Sequence, residues 1–158
     1  VQEYGRYFGM KTVCFRGNCM TGPGHSPAEA HGFLAYLMKC AMTGTTYKIN
    51  GYKGKQVRCN IHSSDFVAAF EEFIKDPTSG EVYNLGGGRG TDCSIIEAAL
   101  LIEDLTKKKL ALDYLPDPRI GDHIWYITDT TKFETDYPNW KKKYNLDDMI
   151  KEMSTRKW

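Results

Sequence analysis

Hydrophobic positions recur along this chain with two different periods. Some stretches repeat every three to four residues, the spacing of an amphipathic helix, and shorter runs of β-branched and aromatic residues are typical of strands. The helical stretches cover 33–41, 66–74, 95–105, 129–136 and 146–153, and the strand candidates cover 12–15, 57–62, 82–85 and 110–115. Because strands alternate with helices, the pattern predicts an α/β fold.

Polar residues mark the starts of two of these helices. Ser94 and Glu97 form the Ser-x-x-Glu pattern of a capping box, in which each side chain bonds to the backbone N–H of the other residue. Asn145 and Asp148 have the same spacing before the last helical stretch. Gly44 follows the first stretch, at the position where a glycine commonly ends a helix.

The composition fits a single domain over residues 1–158. Hydrophobic residues make up 41% of the chain and aromatic residues 13%, which excludes a disordered protein. A chain of this size buries about two-thirds of its surface, enough for a core without metal or disulfide. Lys and Arg number 21 against 20 Asp and Glu, too even a balance for a general nucleic-acid or membrane-surface binder. No apolar run approaches the length of a membrane span.

The cysteines and histidines form no recognisable site. The five cysteines are odd in number and lack a Cys-x-x-Cys pair, which argues against a disulfide framework and against zinc. No two of the four histidines have the spacing of a helical metal-binding pair. We therefore expect reduced thiols, a cytoplasmic protein and no metal site.

The first residues read as the middle of a helix. Val1, Tyr4 and Phe8 have near-helical spacing, yet no capping residue precedes them. The chain also begins without an initiator methionine. Two explanations stay open: the chain is processed, or it is a piece of a longer protein.

Short motifs that suggest catalysis or phosphate binding do not match their templates. The glycine run at 86–90 lacks the Gly-Lys-Ser/Thr ending of a phosphate loop and the third glycine of Gly-x-Gly-x-x-Gly, so a turn is expected. Tyr7–Lys11 and Tyr137–Lys141 have the spacing of a Tyr-x-x-x-Lys acid–base pair. Gly9 interrupts the first and Pro138 the second, so we interpret both as chance.

Two arginines are candidates for anion binding. Arg58 lies in a predicted strand, and Arg119 lies in a turn between Pro118 and Gly121. Two such arginines can hold a diphosphate through bidentate hydrogen bonds. Each arginine alone is equally typical of a surface ion pair.

The order of several motifs resembles a known superfamily. Residues 15–26, Phe-Arg-Gly-Asn-Cys-Met-Thr-Gly-Pro-Gly-His-Ser, resemble the segment after the catalytic helix of extended short-chain dehydrogenase/reductases, and most of all the CDP-tyvelose (CDP-paratose) 2-epimerases. Arg58, His62 and Asp65 are similar to their Arg-Asp-x-x-His-x-x-Asp signature. Further matches follow in family order at 82–88, 119–122, 129–132 and 139–146. The resemblance covers nearly the whole chain.

The resemblance implies a fold and a set of binding residues. The fold is the C-terminal, substrate-binding portion of an extended short-chain dehydrogenase/reductase, with one or a few Rossmann-type strands. Such epimerases move a hydride from a sugar carbon to tightly held NAD and return it to the opposite face. The implied residues are Arg58 and Arg119 on the CDP diphosphate, Asp122 orienting Arg119, Lys48, Ile49 and Asn50 along the base, Cys19 near the sugar, and main-chain groups of Gly17 and Asn18 near the nicotinamide.

The sequence departs from the family pattern at informative positions. Cys59 replaces the aspartate that follows the substrate arginine, which puts the anchoring of Arg58 in question. Cys19 and Thr21 stand where the family has asparagine and tyrosine. The family's glycine fingerprint for NAD and its catalytic Tyr-x-x-x-Lys correspond to positions before Val1, so we expect no catalytic residue and no bound cofactor in this chain alone.

Three hypotheses about function follow. The first is the CDP-sugar-binding part of an NAD-dependent 2-epimerase that is not competent by itself. The second is a non-catalytic remnant that binds nucleotides or associates with itself. The third is part of a related dehydratase or decarboxylase acting on another nucleotide sugar. A homo-oligomer is expected because the strand at 13–15 and the apolar face of the first segment would be uncovered.

Overall fold

Helices and mainly parallel strands alternate along the chain. The computed structural model describes residues 1–29 and 31–158, and it confirms the predicted α/β class. Its helices are α1 (Gln2–Phe8), α2 (Phe33–Thr43), α3 (Ser63–Lys75), α4 (Ile95–Thr106), α5 (Thr131–Asp136) and α6 (Leu146–Ser154). Its strands are β1 (Val13–Gly17), β2 (Cys19–Thr21), β3 (Tyr47–Asn50), β4 (Val57–His62), β5 (Glu81–Leu85), β6 (Asp92–Ser94), β7 (Leu112–Leu115) and β8 (Trp125–Tyr126).

Within the described residues, the strands form three small sheets. β1 pairs with β5, and β3 pairs with β7, both in parallel. β4 lies in the third sheet, where it pairs with β2 and β8 in parallel and with β6 in antiparallel orientation. β4 is therefore the strand around which the third sheet is organised.

Helices α2, α4 and α6 enclose an aliphatic core with β3. Leu37, Met38, Ile49, Ile102 and Ile150 are each completely buried there. Burying a side chain of this kind stabilises the fold by about 1.5–3 kcal/mol relative to leaving it exposed. This core supports one wall of the site described below.

A second core, largely aromatic, joins the β1–β5 sheet to α3 and α5. Phe133 packs edge-on against Phe15 and Trp140, with ring centroids 5.6 and 5.1 Å apart. The Tyr83 ring lies 5.1 Å from the Phe133 ring in a similar arrangement. Edge-to-face geometry is favoured because the positive edge of one ring meets the negative face of another. Ile61 of β4 also belongs to this core.

Two side chains at the junction of β4 and α3 hold the C-terminal segment. His62 Nδ1 accepts the backbone N–H of Ser64, so its Nε2 donates to Glu152 Oε2 at 2.7 Å. Asp65 is buried, and its carboxylate accepts the backbone N–H groups of Lys143 and Tyr144 at 3.0 and 3.2 Å. A buried carboxylate is stable only when such donors satisfy it. The two signature residues His62 and Asp65 are therefore structural anchors.

The helix ends predicted at Gly44, Ser94 and Asn145 are confirmed, whereas α3 begins three residues before the predicted stretch at 66 and α5 begins two residues after the predicted start at 129. Both capping boxes form, with Ser94 bonded to Glu97 and Asn145 bonded to Asp148. Gly44 ends α2 with a positive φ of 75°, a conformation that strains any residue with a Cβ. The short strands β2, β3, β6 and β8 were not predicted, because two to four residues carry too little periodic signal.

The glycine run lies in a tightly packed turn. A Cβ on Gly87 would lie 1.8 Å from the Asn60 carbonyl oxygen and from Thr91 Oγ1. A Cβ on Gly86 would lie 2.5 Å from the Thr128 side chain. The glycines therefore let the turn approach β4, as expected for a turn rather than a phosphate loop.

Neither Tyr-x-x-x-Lys match is an acid–base pair. Tyr7 is exposed near the end of α1, and Gly9 ends that helix before Lys11. Tyr137 is buried at the end of α5, where its hydroxyl lies 2.8 Å from Thr78 Oγ1. Among the helices that the structure describes, none is long and apolar enough to cross a membrane.

The capping box of α4 gives a pH-dependent prediction. Hydrogen bonds from the Ser94 backbone N–H and hydroxyl lower the pKa of Glu97. Because the pKa of Glu97 is lower in the folded state, its ionised carboxylate stabilises the fold at pH values above the unfolded-state pKa of about 4.3. This stabilisation is lost as the pH falls through the folded-state pKa. We expect Ser94→Ala to lower the free energy of unfolding by about 1 kcal/mol at pH 7.

Glu97→Gln should also destabilise the fold at pH 7, with a difference from the unsubstituted chain that shrinks below about pH 4. Urea unfolding at several pH values measures both effects. Glu71→Gln, at an exposed position on α3, is the matched control and should show a smaller change. A destabilisation by Glu97→Gln that is constant from pH 3 to 7 would contradict the prediction.

Candidate functional site

Two adjoining pockets open between β3, the start of β4 and the 119–122 turn. Their volumes are about 280 and 230 Å³. The first adds Tyr36, Lys48 and Asn50 to the shared wall, and the second adds residues that include Cys19, Arg58 and Asp122. The shared wall consists of Glu29, Tyr47, Gln56, Ile95 and Arg119.

A carboxylate between two guanidinium groups dominates the second pocket. Arg58 Nη2 donates to Asp122 Oδ1 at 2.7 Å, and Arg58 Nη1 donates to the Val57 carbonyl at 2.7 Å. Arg119 Nη2 lies 3.9 Å from Asp122 Oδ2. The side chain of Asp122 is 8% exposed, that of Arg58 15% and that of Arg119 53%. The structure thus brings together the three residues expected to bind a diphosphate.

Asp122 orients a different arginine from the one expected. The resemblance implied that it orients Arg119, but its short contact is with Arg58. Its carboxylate neutralises one of the two guanidinium charges, so this cluster of three residues has a formal charge of +1. Glu29 and Lys48, which also line the pockets, have opposite charges and leave that sum unchanged. Because Arg119 is more exposed and less tightly paired, it is the group that can turn toward an anion.

The substitution at Cys59 does not leave Arg58 without support. Neighbouring residues of a strand point to opposite faces, so Cys59 points away from the guanidinium of Arg58. Its sulfur is buried and accepts hydrogen bonds from Asn18 Nδ2 at 2.7 Å and from the Thr128 backbone N–H at 3.3 Å. Asp122, from another part of the chain, supplies the carboxylate that holds Arg58.

The expected base-binding stretch is divided by strand alternation. Lys48 and Asn50 line the first pocket, whereas the Ile49 side chain is completely buried in the aliphatic core. Of Ile49, only main-chain atoms are therefore available to contact a ligand. Tyr47 lines both pockets, and burial raises its pKa to about 12. It is therefore a neutral phenol at physiological pH.

Cys19 forms part of the second pocket, as its assignment near the sugar requires. Its thiol is half-buried, and burial is the main cause of a raised pKa. The group is therefore a protonated thiol near neutral pH and a poor nucleophile.

The sequence interpretation missed eight of the residues described as lining the two pockets: Glu29, His31, Gly32, Phe33, Tyr36, Tyr47, Gln56 and Ile95. Gln56 precedes Arg58 by two residues, the spacing that places side chains on one side of an extended chain. This periodicity could have identified it. Tyr47 and Ile95 carry no signal of this kind, because they approach the pocket from other elements.

Comparison with known proteins identifies a family for this chain. Residues 1–86 match the profile of the NAD-dependent epimerase/dehydratase family. The chain belongs to this family. A CDP-paratose 2-epimerase from Salmonella typhi is 26% identical over 158 residues, covering 96% of this chain and 46% of that protein. A UDP-glucose 4-epimerase from Cyamopsis tetragonoloba is 38% identical over 104 residues, covering 63% of this chain and 28% of that protein.

A solved structure shows the same fold. The UDP-glucose 4-epimerase of Thermotoga maritima, determined with UDP-glucose, superposes with a TM-score of 0.84 at 26% identity. The match covers 96% of this chain and 47% of that enzyme. The chain thus spans less than half the length of these relatives, and the predicted fold, a portion of the larger epimerase/dehydratase fold, is confirmed.

The family name implies NAD, and the resemblance places main-chain groups of Gly17 and Asn18 near the nicotinamide. The Asn18 backbone N–H donates to the Leu85 carbonyl at 2.9 Å, and the Asn18 side chain is bonded to Cys59 and Thr128. Gly17 packs so closely that a Cβ would lie 2.9 Å from the Phe66 ring. The backbone N–H and the side-chain amide of Asn18 are thus used within the fold, and we derive no step through NAD. The described residues also contain no cluster of three or more His, Cys, Asp or Glu suited to a metal ion.

Proposed function

We propose that the two pockets bind a nucleotide sugar, and that this chain is the substrate-binding part of a nucleotide-sugar epimerase or dehydratase. The observation that supports this most directly is the Arg58–Asp122–Arg119 cluster beside a pocket lined by Lys48 and Asn50. Two guanidinium groups with one carboxylate carry a net positive charge, which complements a diphosphate. The adjoining pocket provides room for the nucleoside.

Each residue has a distinct role in this proposal. Arg58, held by Asp122, presents a fixed guanidinium to one phosphate, and Arg119 turns from the pocket mouth toward the other. Lys48 and Asn50 lie along the base, and Cys19 lies near the sugar. The tight Arg58–Asp122 pair supports the first of these roles, because a bound guanidinium loses little freedom when the ligand arrives.

We propose a CDP-sugar as the ligand. This rests on the sequence resemblance and on the Salmonella typhi relative, whose match extends over 96% of this chain. A UDP-sugar is the alternative, since the Cyamopsis tetragonoloba and Thermotoga maritima relatives are UDP-glucose 4-epimerases.

Loss of either arginine should weaken nucleotide binding. We expect Arg58→Met and Arg119→Met each to reduce the affinity for CDP at least about tenfold, because each removes charge-assisted hydrogen bonds to phosphate. Isothermal titration calorimetry with CDP, and in parallel with UDP, measures this. Arg6→Met, on the exposed surface of α1, is the matched control and should bind as the unsubstituted chain does. Equal CDP affinity in all four proteins would refute the assignment of the site.

We also propose that these 158 residues bind the nucleotide sugar without converting it. Hydride transfer needs a held nicotinamide and a placed acid–base group, and neither Tyr-x-x-x-Lys match in this chain has the geometry of such a group. Incubation with NAD and a CDP-sugar, followed by chromatography of the products, should show only starting material. Enzyme-dependent formation of an epimer would show that the chain is catalytic.

Self-association is the second property that we propose. Tyr7 and Phe8 on α1 are 76% and 73% exposed, and Val1 and Tyr4 extend the same apolar surface. Within the described residues, β1 pairs with one strand only, β5. An open strand edge beside an apolar surface favours pairing with a second copy.

Sedimentation velocity over a range of concentrations should therefore show a dimer or larger species. The double substitution Tyr7→Ser and Phe8→Ser should shift the chain toward monomer. Leu100→Ser, at a similarly exposed apolar position on α4, should leave the distribution unchanged. A monomer at the highest concentration tested would disprove self-association.

A further inference from the structure

A buried amide in the wall shared by the two pockets has an oxygen without a partner. Gln56 is 3% exposed and lines both pockets. Its Nε2 donates to the Asn50 carbonyl at 3.2 Å, whereas its Oε1 is buried and has no hydrogen-bond partner among the described residues. Buried polar atoms are paired in most folded proteins, so an unpaired one in a pocket wall indicates a missing partner.

Asn50 determines which way this amide faces. A backbone carbonyl oxygen only accepts hydrogen bonds, so the nitrogen of Gln56 must lie next to it. Reversing the amide would bring two acceptor oxygens together and lose the bond. Oε1 is therefore held as an acceptor, and only an O–H or N–H donor can satisfy it.

The neighbouring side chains define what kind of donor can reach Oε1. Gln56 lies where the first pocket, with Lys48, meets the second, with Arg58. In a nucleotide whose base lies along Lys48 and whose diphosphate lies at Arg58, this position corresponds to the nucleoside. The exposed Arg119 lines the same wall.

We propose that Gln56 Oε1 accepts a hydrogen bond from the nucleoside part of the ligand and thereby determines which nucleotides the site prefers. This inference rests on the proposed function. Two groups of a nucleotide have the required chemistry: a ribose hydroxyl, and an amino or ring N–H group of the base. In both cases the donor pairs with an oxygen that is already removed from water. Forming the hydrogen bond therefore carries little further desolvation of Gln56 Oε1.

The test compares ligands that differ at one donor position: the two deoxy ligands each lack a ribose hydroxyl, and UDP has a ring N–H in place of the amino group of CDP. The unsubstituted chain is titrated calorimetrically with CDP, 2′-deoxy-CDP, 3′-deoxy-CDP and UDP. We expect the affinities to differ about tenfold between the ligands that have and those that lack the donor bound by Gln56 Oε1. A preference against one deoxy ligand assigns the donor to the ribose, and discrimination between CDP and UDP assigns it to the base. Gln56→Met keeps the length of the side chain without the amide oxygen, and it should reduce that same preference to less than about twofold.

Gln2→Met, on α1, is the matched control and should keep the full preference. If Gln56→Met does not fold, the ligand series on the unsubstituted chain still decides, because equal affinity for all four ligands would overturn the inference. A preference that persists unchanged in folded Gln56→Met would overturn it as well, while leaving the nucleotide site intact. Absence of binding to any of the four ligands would instead refute the proposed function, and the inference with it.

Discussion

Strand β4 is the constraint on which the rest of the structure depends. The backbone groups of a central strand must be paired along both edges, because an unpaired buried N–H or C=O is unfavourable. Three short strands, β2, β6 and β8, meet this requirement for β4. The same strand presents Arg58 to the pocket, buries Ile61 in the aromatic core and ends at His62, which caps α3. Its position therefore links the binding site to the core.

The electrostatics of the site follow from one buried carboxylate. A charged group removed from water is stable only with a close partner, and Asp122 obtains one in Arg58 at 2.7 Å. This pair gives the arginine a fixed direction, and the more exposed Arg119 keeps its charge available. This combination of one fixed and one movable guanidinium suits the anion binding proposed for the pocket.

Local features of the fold could be predicted from the sequence, and contacts across the chain could not. The capping boxes at Ser94 and Asn145 act over three residues, so their spacing is sufficient to identify them. β2, β6 and β8 have two to three residues each, and they form because β4 needs partners rather than from their own propensity. The pair of Arg58 with Asp122 joins residues 64 positions apart, and only chain packing brings them into contact. The sequence indicated both arginines. It could not show that Asp122 supports Arg58, in place of the aspartate that the family has where this chain has Cys59.

By itself, the sequence determined the α/β class, the helix ends at Gly44, Ser94 and Asn145, and the order of motifs that identifies the family. These are properties of periodicity, backbone capping and residue order, which act over short distances. Only the tertiary structure decided that Ile49 faces the core, that Asp122 holds Arg58, and that Gln56 keeps an unpaired oxygen beside the pockets. Each of these depends on strand register and on which elements pack together, because side-chain partners distant in the chain are selected by the geometry of the whole fold.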